Sequence, residues 1–269
     1  MLNSSGSPGS SAAAVLVVGL GEIGQPLLEI LGGAHDAAGR DIEDRSFDGV
    51  QVLHICFPYG PDFVSAAARY VSMYEPEVVV VNSTVVPGTT REIEEKTDVC
   101  TVYSPVRGKH ARMKDEMRRY RKFVAGASAA AMALVEEHFA AAGIATQRMS
   151  SPEALELAKL LETTYFGVLV AWAQEMDRFA DAVDADYWET TAFLEEIDFF
   201  PPVTFQPGFI GGHCVMPNLE LLEQVRRSRF IDVMRESNAR RAREVEERGL
   251  STADRLTPRP PRNGRTDRD

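Results

Sequence analysis

The chain has 269 residues, 44% of them hydrophobic and 26% charged, and a formal net charge of -11. This composition supports a sizeable core and excludes fibrous and mainly disordered classes. The acidic balance opposes non-specific nucleic-acid binding, which draws its strength from phosphate contacts, and no uncharged apolar run approaches about 18 residues, so neither a membrane span nor a signal peptide is predicted.

Residues 1–12 are rich in Ser and Gly and read as a disordered tail. Ala13 to Val18 is a valine-rich run, predicted as a buried strand. It leads into Gly19-Leu20-Gly21-Glu22-Ile23-Gly24, with helix spacing from Glu22 to Leu31. Between a strand and a helix this spacing fits a dinucleotide. Gly19 permits the tight turn, Gly21 lets a pyrophosphate approach the backbone, and Gly24 lets helix and strand pack closely. The helix start at Glu22 and Ile23 offers unpaired N–H groups to the phosphates. A weak second strand lies near Ala34 to Arg40. Asp41, 22 residues beyond Gly19, can bind both ribose hydroxyls, which favours NAD over NADP. Asp36 is the rival acid, and Arg40 and Arg45 keep NADP open.

Further strands are predicted at Val50 to Phe57, Val78 to Val81, Val99 to Tyr103, Lys122 to Ala125 and Ile144 to Arg148. Helices fall at Phe63 to Tyr74, Thr89 to Lys96 and Ala129 to Ala142. Strands alternating with helices imply an α/β fold: a doubly wound, mostly parallel Rossmann sheet over residues 13–149. Two loops follow strand ends, where such sheets bind ligands. Pro58 and Tyr59 lie in the first and Ser83 and Thr84 in the second. Ser83 or Thr84 either bonds substrate or the nicotinamide ribose, or caps a helix. Arg107, Lys109, His110, Arg112 and Lys114 form a basic cluster. It either binds a carboxylate or phosphate, or is a solvated face.

The pattern changes at Ser150. Ser151, Pro152 and Glu153 make a good helix start, and periodic apolar residues run to about Val183, roughly 45 Å at 1.5 Å per residue. This long helix is predicted as the backbone of an all-helical domain over residues 150–251, or of a dimer. Helices follow at Tyr187 to Glu196 and Leu219 to Glu247, a loop spans Asp198 to Pro217, and residues 252–269 read as a second disordered tail. On the long helix, Glu156, Lys159 and Thr163 share one side, either as a functional stripe or as an exposed ion-paired face. Phe209-Ile210-Gly211-Gly212-His213-Cys214 sets a nucleophile and a histidine beside two glycines. Cys214 is either reactive or a small buried hydrophobe. The three cysteines, Cys56, Cys100 and Cys214, show neither zinc-type spacing nor a disulfide framework, so no metal and an intracellular, cytoplasmic location are expected.

Taken together, these pieces resemble the UDP-glucose/GDP-mannose dehydrogenase family, including its UDP-N-acetylmannosamine dehydrogenase branch, over about residues 13–225. The matching segments are Gly19 to Gly24 with Asp41, Ser83-Thr84-Val85 with Pro87-Gly88-Thr89-Thr90, Ser104-Pro105 with Arg107, Glu156-x-x-Lys159 on a helix containing Ala173-Gln174-Glu175, and Gly211-Gly212-His213-Cys214. The resemblance implies two successive NAD-dependent oxidations, from alcohol through aldehyde to acid. Cys214 would form the thiohemiacetal and thioester, Lys159 would stabilise the oxyanion, and Thr84 would orient substrate or water. It also implies a homodimer joined through the long helix, with the active site between the domains. Three residues depart from the family pattern: Val106 stands where the family has glutamate, Thr163 where it has asparagine, and Asn218 where it has aspartate. The family's C-terminal nucleotide-sugar-binding domain has no counterpart in the roughly fifty residues after Cys214. The expected substrate is therefore a small polar or anionic alcohol or aldehyde, with Arg107, Lys109, His110, Lys159 and Asn218 as contacts. The alternatives are a single-step hydroxy-acid-type dehydrogenase using Lys159, and a non-catalytic NAD-binding protein.

Overall fold

A computed structural model describes residues 11–12, 14–41, 47–108, 112–195, 197, 205–212 and 214–247. Lys109, His110 and His213 lie outside them, as does Arg45. The described residues divide into two compact units between Lys159 and Leu160.

In the first unit the elements run β1 (Ser11–Ala12), β2 (Val15–Val18), α1 (Gly24–Leu31), β3 (Ala37–Arg40), β4 (Phe47–Asp48), β5 (Val52–Ile55), α2 (Phe63–Tyr74), β6 (Val78–Val81), α3 (Thr89–Thr97), β7 (Thr101–Tyr103), α4 (Met113–Arg119), β8 (Lys122–Gly126), α5 (Ala129–Ala141) and β9 (Thr146–Arg148). Seven strands form one sheet in the order β3-β2-β5-β6-β7-β8-β9. Every pairing is parallel except β7 with β8. β1 pairs with β4 in a separate two-residue ladder, so Ser11 and Ala12, expected in a tail, are hydrogen-bonded.

Strands β2, β5 and β6 are nearly continuous aliphatic runs because helices cover both faces of a parallel sheet. Leu16, Val18, Leu53, Ile55, Val79 and Val81 pack on one face with Phe63, Ala67 and Val71 of α2 and Ile93 of α3. Val15, Val17, Val52, Val78, Val80 and Val124 pack on the other with α1, α4 and α5. Each such side chain contributes about 1.5–3 kcal/mol of burial. The chain passes from β2 to β3 on one side and returns to β5 on the other. The topological switch therefore lies between the carboxyl ends of β2 and β5.

The second unit contains the C-terminal part of α6 (Pro152–Asp181), then α7 (Tyr187–Glu195), α8 (Val215–Val225) and α9 (Arg229–Glu247). Ala171, Leu219, Ile231 and Met234 form its core. A Cβ at Gly167 would lie 2.5 Å from Val215 Cγ1 and 3.2 Å from Met234 Sδ, so α6 meets α8 and α9 closely there. The single helix expected over 219–247 is two helices. Arg226 turns extended after α8, and α8 starts before Pro217, which is tolerated in a first turn where its missing N–H is not needed. Among the described residues, no helix is long and apolar enough to cross a membrane.

Candidate functional site

In the first unit the glycine turn lies at the switch point, and its three glycines are constrained differently. Gly19 has φ +89, and a Cβ there would fall 2.6 Å from the Phe57 amide nitrogen. Its N–H donates to the Arg40 carbonyl at 2.9 Å, and the Cys56 N–H donates to the Val18 carbonyl at 2.8 Å. The ends of β2, β3 and β5 are thus stitched together. A Cβ at Gly24 would fall 1.8 Å from the Gly19 carbonyl oxygen. Among the described residues, nothing lies within 4 Å of such a Cβ at Gly21, so its backbone faces open space there. Glu22 is exposed and Ile23, the N-cap of α1, is half-buried.

Asp41 is exposed and follows Arg40 at the carboxyl end of β3, one residue from the bond to Gly19. Asp36 lies at the opposite end, where its carbonyl accepts from Val15 N–H. Arg40 is buried. Its guanidinium lies over Tyr70 and Tyr74 at 5.4 and 5.7 Å and donates to the Tyr74 hydroxyl. It is therefore engaged by its own chain.

Ser83 Oγ donates to the Phe57 carbonyl at 2.6 Å, tying the loop after β6 to the loop after β5. Thr84 beside it is half-buried. Pro58 is exposed, and half-buried Tyr59 packs on Phe63 with ring centroids 5.3 Å apart. Glu156 is fully buried and accepts from Gly88 N–H at 2.6 Å, Thr90 N–H at 2.9 Å and Thr90 Oγ1 at 2.6 Å. It therefore caps α3, where a helix N-terminus favours negative charge. The exposed ion-paired face does not exist at this residue. Burial raises the Glu156 pKa, against the lowering effect of those three donors. Lys159, one turn on, is half-buried.

The loop after β7 is held against the start of β8. Ser104 Oγ donates to the Phe123 carbonyl at 2.9 Å. Arg107 donates to the Arg121 carbonyl at 2.7 Å and lies 4.8 Å over the Phe123 ring. Val106 is buried. Of the other basic residues described in that cluster, Arg112 pairs with Glu116 at 3.3 Å and Lys114 with Glu29 at 2.9 Å. Sequence reasoning missed Lys122. It is buried, and its ammonium donates to the Ser104 carbonyl at 2.6 Å and the Pro105 carbonyl at 3.3 Å. Burial lowers its pKa to about 7, and the charges of Arg107 and Lys159 act in the same direction. Burial also pushes the Cys56 thiol up to about 12.

In the second unit Cys214 is the N-cap of α8 and is half-buried. Asn218, four residues on, is buried and its Nδ2 donates to Thr163 Oγ1 at 3.0 Å. The two departures from the family pattern, Thr163 and Asn218, are thus direct partners. The approach to Cys214 is clamped by Gln174 and Asn238. Asn238 accepts from Ile210 N–H at 2.8 Å and donates to the Ile210 carbonyl at 3.0 Å. Gln174 Nε2 donates to the Gly208 carbonyl at 2.7 Å and to Asn238 Oδ1 at 3.2 Å. Asn238 is a second residue that sequence reasoning did not single out. Its only signal was a small amide on a strongly charged helix.

Residues 153–241, which carry Lys159, Thr163, Gln174, Cys214 and Asn218, match the central domain of the UDP-glucose/GDP-mannose dehydrogenase family. UDP-N-acetyl-D-mannosamine dehydrogenase of Methanococcus vannielii is 22% identical over 231 residues, covering 79% of this chain and 53% of that protein. The chain spans about half the length, or less, of the curated relatives it matches. Among solved structures, UDP-D-ManNAc dehydrogenase from Pyrococcus horikoshii superposes with TM-score 0.76 at 20% identity, covering 88% of this chain and 72% of that one. 3-Hydroxyisobutyrate dehydrogenase from Mycobacterium tuberculosis superposes with TM-score 0.64 at 12% identity, covering 91% of this chain and 97% of that one.

Proposed function

We propose that the chain is an NAD-dependent oxidoreductase acting on a small polar or anionic alcohol or aldehyde. The observation that carries this reading is the glycine turn. Gly19 and Gly24 are sterically obligatory, whereas Gly21 faces open space, as a backbone approached by a pyrophosphate must. NAD, when bound, supplies the hydride acceptor. The N–H groups at the start of α1 hold the phosphates, and Asp41 accepts from the ribose hydroxyls. Pro58, Tyr59, Ser83 and Thr84 complete the cofactor contacts. The sequestered Arg40 favours NAD over NADP.

Cys214 is the nucleophile that takes an aldehyde carbon as a thiohemiacetal on the way to the acid. The N–H groups opening α8 favour negative charge at its sulfur. Lys159 stabilises the oxyanion, and Arg107 with Lys109 and His110 receives an anionic substrate group. Lys159 and Cys214 both fall in the segment that matches the central domain of the UDP-glucose/GDP-mannose dehydrogenase family, which supports their roles. A homodimer is supported by Leu161, Tyr165, Trp172 and Phe179, which recur at helical spacing along α6 and are each at least half exposed.

A second reading, a one-step hydroxy-acid-type dehydrogenase using Lys159, is favoured by the likeness over 97% of the 3-hydroxyisobutyrate dehydrogenase chain. A screen of small alcohols, aldehydes and hydroxy acids monitored by NADH absorbance separates the two. Under the first reading Cys214→Ala abolishes acid formation. Acid formation that survives it refutes the thioester course. NAD affinity unchanged in Asp41→Ala removes Asp41 from the site.

A further inference from the structure

Behind the crevice, on the sheet face covered by α1, α4 and α5, lies a line of buried polar side chains. His54 of β5 is fully buried between two aliphatic neighbours, and His138 of α5 and Asn82 at the end of β6 are also buried. Asn82 Nδ2 lies 3.2 Å from His54 Nδ1 and 3.1 Å from the Val80 carbonyl. His54 Nε2 lies 3.0 Å from His138 Nε2. His35, in the turn after α1, stacks on His138 with centroids 4.3 Å apart and donates from Nε2 to the His138 carbonyl at 2.9 Å.

These contacts fix the tautomers. The Val80 carbonyl demands a donor, so the Asn82 amide nitrogen points there and also donates to His54 Nδ1. His54 must then carry its proton on Nε2 and donate it to His138 Nε2. His138 must carry its proton on Nδ1. The two lone-pair nitrogens of the string are thus both occupied as acceptors. One added proton, taken from solvent, sets a donor against a donor. If His54 takes it, relief requires the Asn82 amide to turn over, so that Oδ1 accepts from Nδ1–H and the bond to Val80 is lost. Among the described residues, Asn82 Oδ1 is buried with no hydrogen-bond partner, an arrangement costly in one state and explained if the oxygen serves the other.

We propose that His138 and His54 are positioning residues. They form a one-proton string that sets the amide of Asn82, and with it the Asn82-Ser83-Thr84 loop beside the candidate crevice, so that binding there is coupled to proton uptake at the histidines. The charged and titratable groups around the string are His35 from the turn after α1, Lys122 from β8 and Cys56 after β5. Burial holds His138 down at about 4, with the charge of His35 adding to it. Burial lowers His54 as well, with His138 and Lys122 acting in the same direction. The string is therefore neutral near pH 7 and switches in acid. The coupling to binding rests on the proposed nucleotide site; the tautomers do not.

Two measurements test this. Imidazole 15N NMR of the wild-type chain at pH 7, assigned with His54 and His138 variants, is expected to show His54 protonated on Nε2 and His138 on Nδ1. The opposite tautomers overturn the string, whether or not NAD binds. NAD affinity is then followed from pH 7 to about pH 3.5 for wild type and His138→Gln, which keeps an acceptor for His54 and cannot titrate. With one proton taken up at about 4, wild type should lose up to about fourfold at pH 3.5, over and above any loss in His138→Gln. Superimposable profiles overturn the coupling. Absence of NAD binding at every pH instead refutes the proposed function, leaving the NMR result to judge the string.

Discussion

Replacing Lys122 with Met keeps the aliphatic stem and deletes the ammonium. In the folded chain that group has a pKa of about 7, against 10.5 for an ordinary lysine. Between those values the unfolded chain holds a proton that the folded chain has released. Stability therefore rises with pH through this window, by about 1.4 kcal/mol per pH unit. The contribution is complete above about 10.5 and is lost as pH falls through 7. A neutral amine still has two hydrogens, enough for the carbonyls of Ser104 and Pro105, so the slope reports charge rather than lost bonds. The variant lacks that slope. The stability gap, wild type minus Lys122→Met, should widen by about 2–3 kcal/mol between pH 7.5 and 9.5. Urea unfolding followed by circular dichroism at several pH values measures it. The gap at a single pH is not diagnostic, because Met also strands two carbonyls at about 1–3 kcal/mol each. A gap that stays constant across the window refutes a buried, nearly neutral Lys122.

Gly21→Ala should leave thermal stability almost unchanged yet weaken NAD, because the added methyl meets open space in the protein alone. Gly24→Ala should lower stability sharply, since its Cβ would lie 1.8 Å from the Gly19 carbonyl; equal melting temperatures for the two variants contradict this. Glu156→Gln sets an amide where three donors converge and should cost about 1–3 kcal/mol in denaturant unfolding. The raised Glu156 pKa means that the wild-type advantage shrinks as pH rises from 4.5 through the folded-state value. Asn238→Ala strips both bonds from the Ile210 backbone and should cost at least about 2 kcal/mol, read from the fluorescence of Trp172 and Trp188 in the same unit.

The strands were legible wherever burial on both faces wrote an aliphatic run, as in Val78–Val81, and α2 and α6 were legible from periodicity. Met113–Arg119 was not, because a seven-residue helix held by Met113 and Met117 shows too little periodicity to separate from a charged loop. The break between α8 and α9 was hidden by continuous helix-forming residues. The glycine turn and Asp41 stood out because their spacing is local. Lys122, His54, His138 and Asn82 did not, because strand and helix patterns treat them as ordinary polar interruptions. Only the fold shows that they share one face. Asn238 escaped for the same reason, since its partner Ile210 lies 28 residues away.

The pairing of Thr163 with Asn218 bears on the proposed chemistry. An asparagine and an aspartate expected by resemblance are replaced by a threonine and an asparagine bonded at 3.0 Å. Thr163 Oγ1 also donates to the Leu160 carbonyl at 3.1 Å. Both residues are neutral in the ordinary pH range, and neither can take a proton from water. Their mutual bond satisfies two buried groups and so stabilises the join of α6 to α8 without charge. On the proposed reading, addition of Cys214 to an aldehyde needs the thiol and a stabilising cation, and both positions are kept. Release of an acid from a thioester needs an activated water, and these substitutions weaken that step. The steps up to the thioester are therefore better equipped than its hydrolysis.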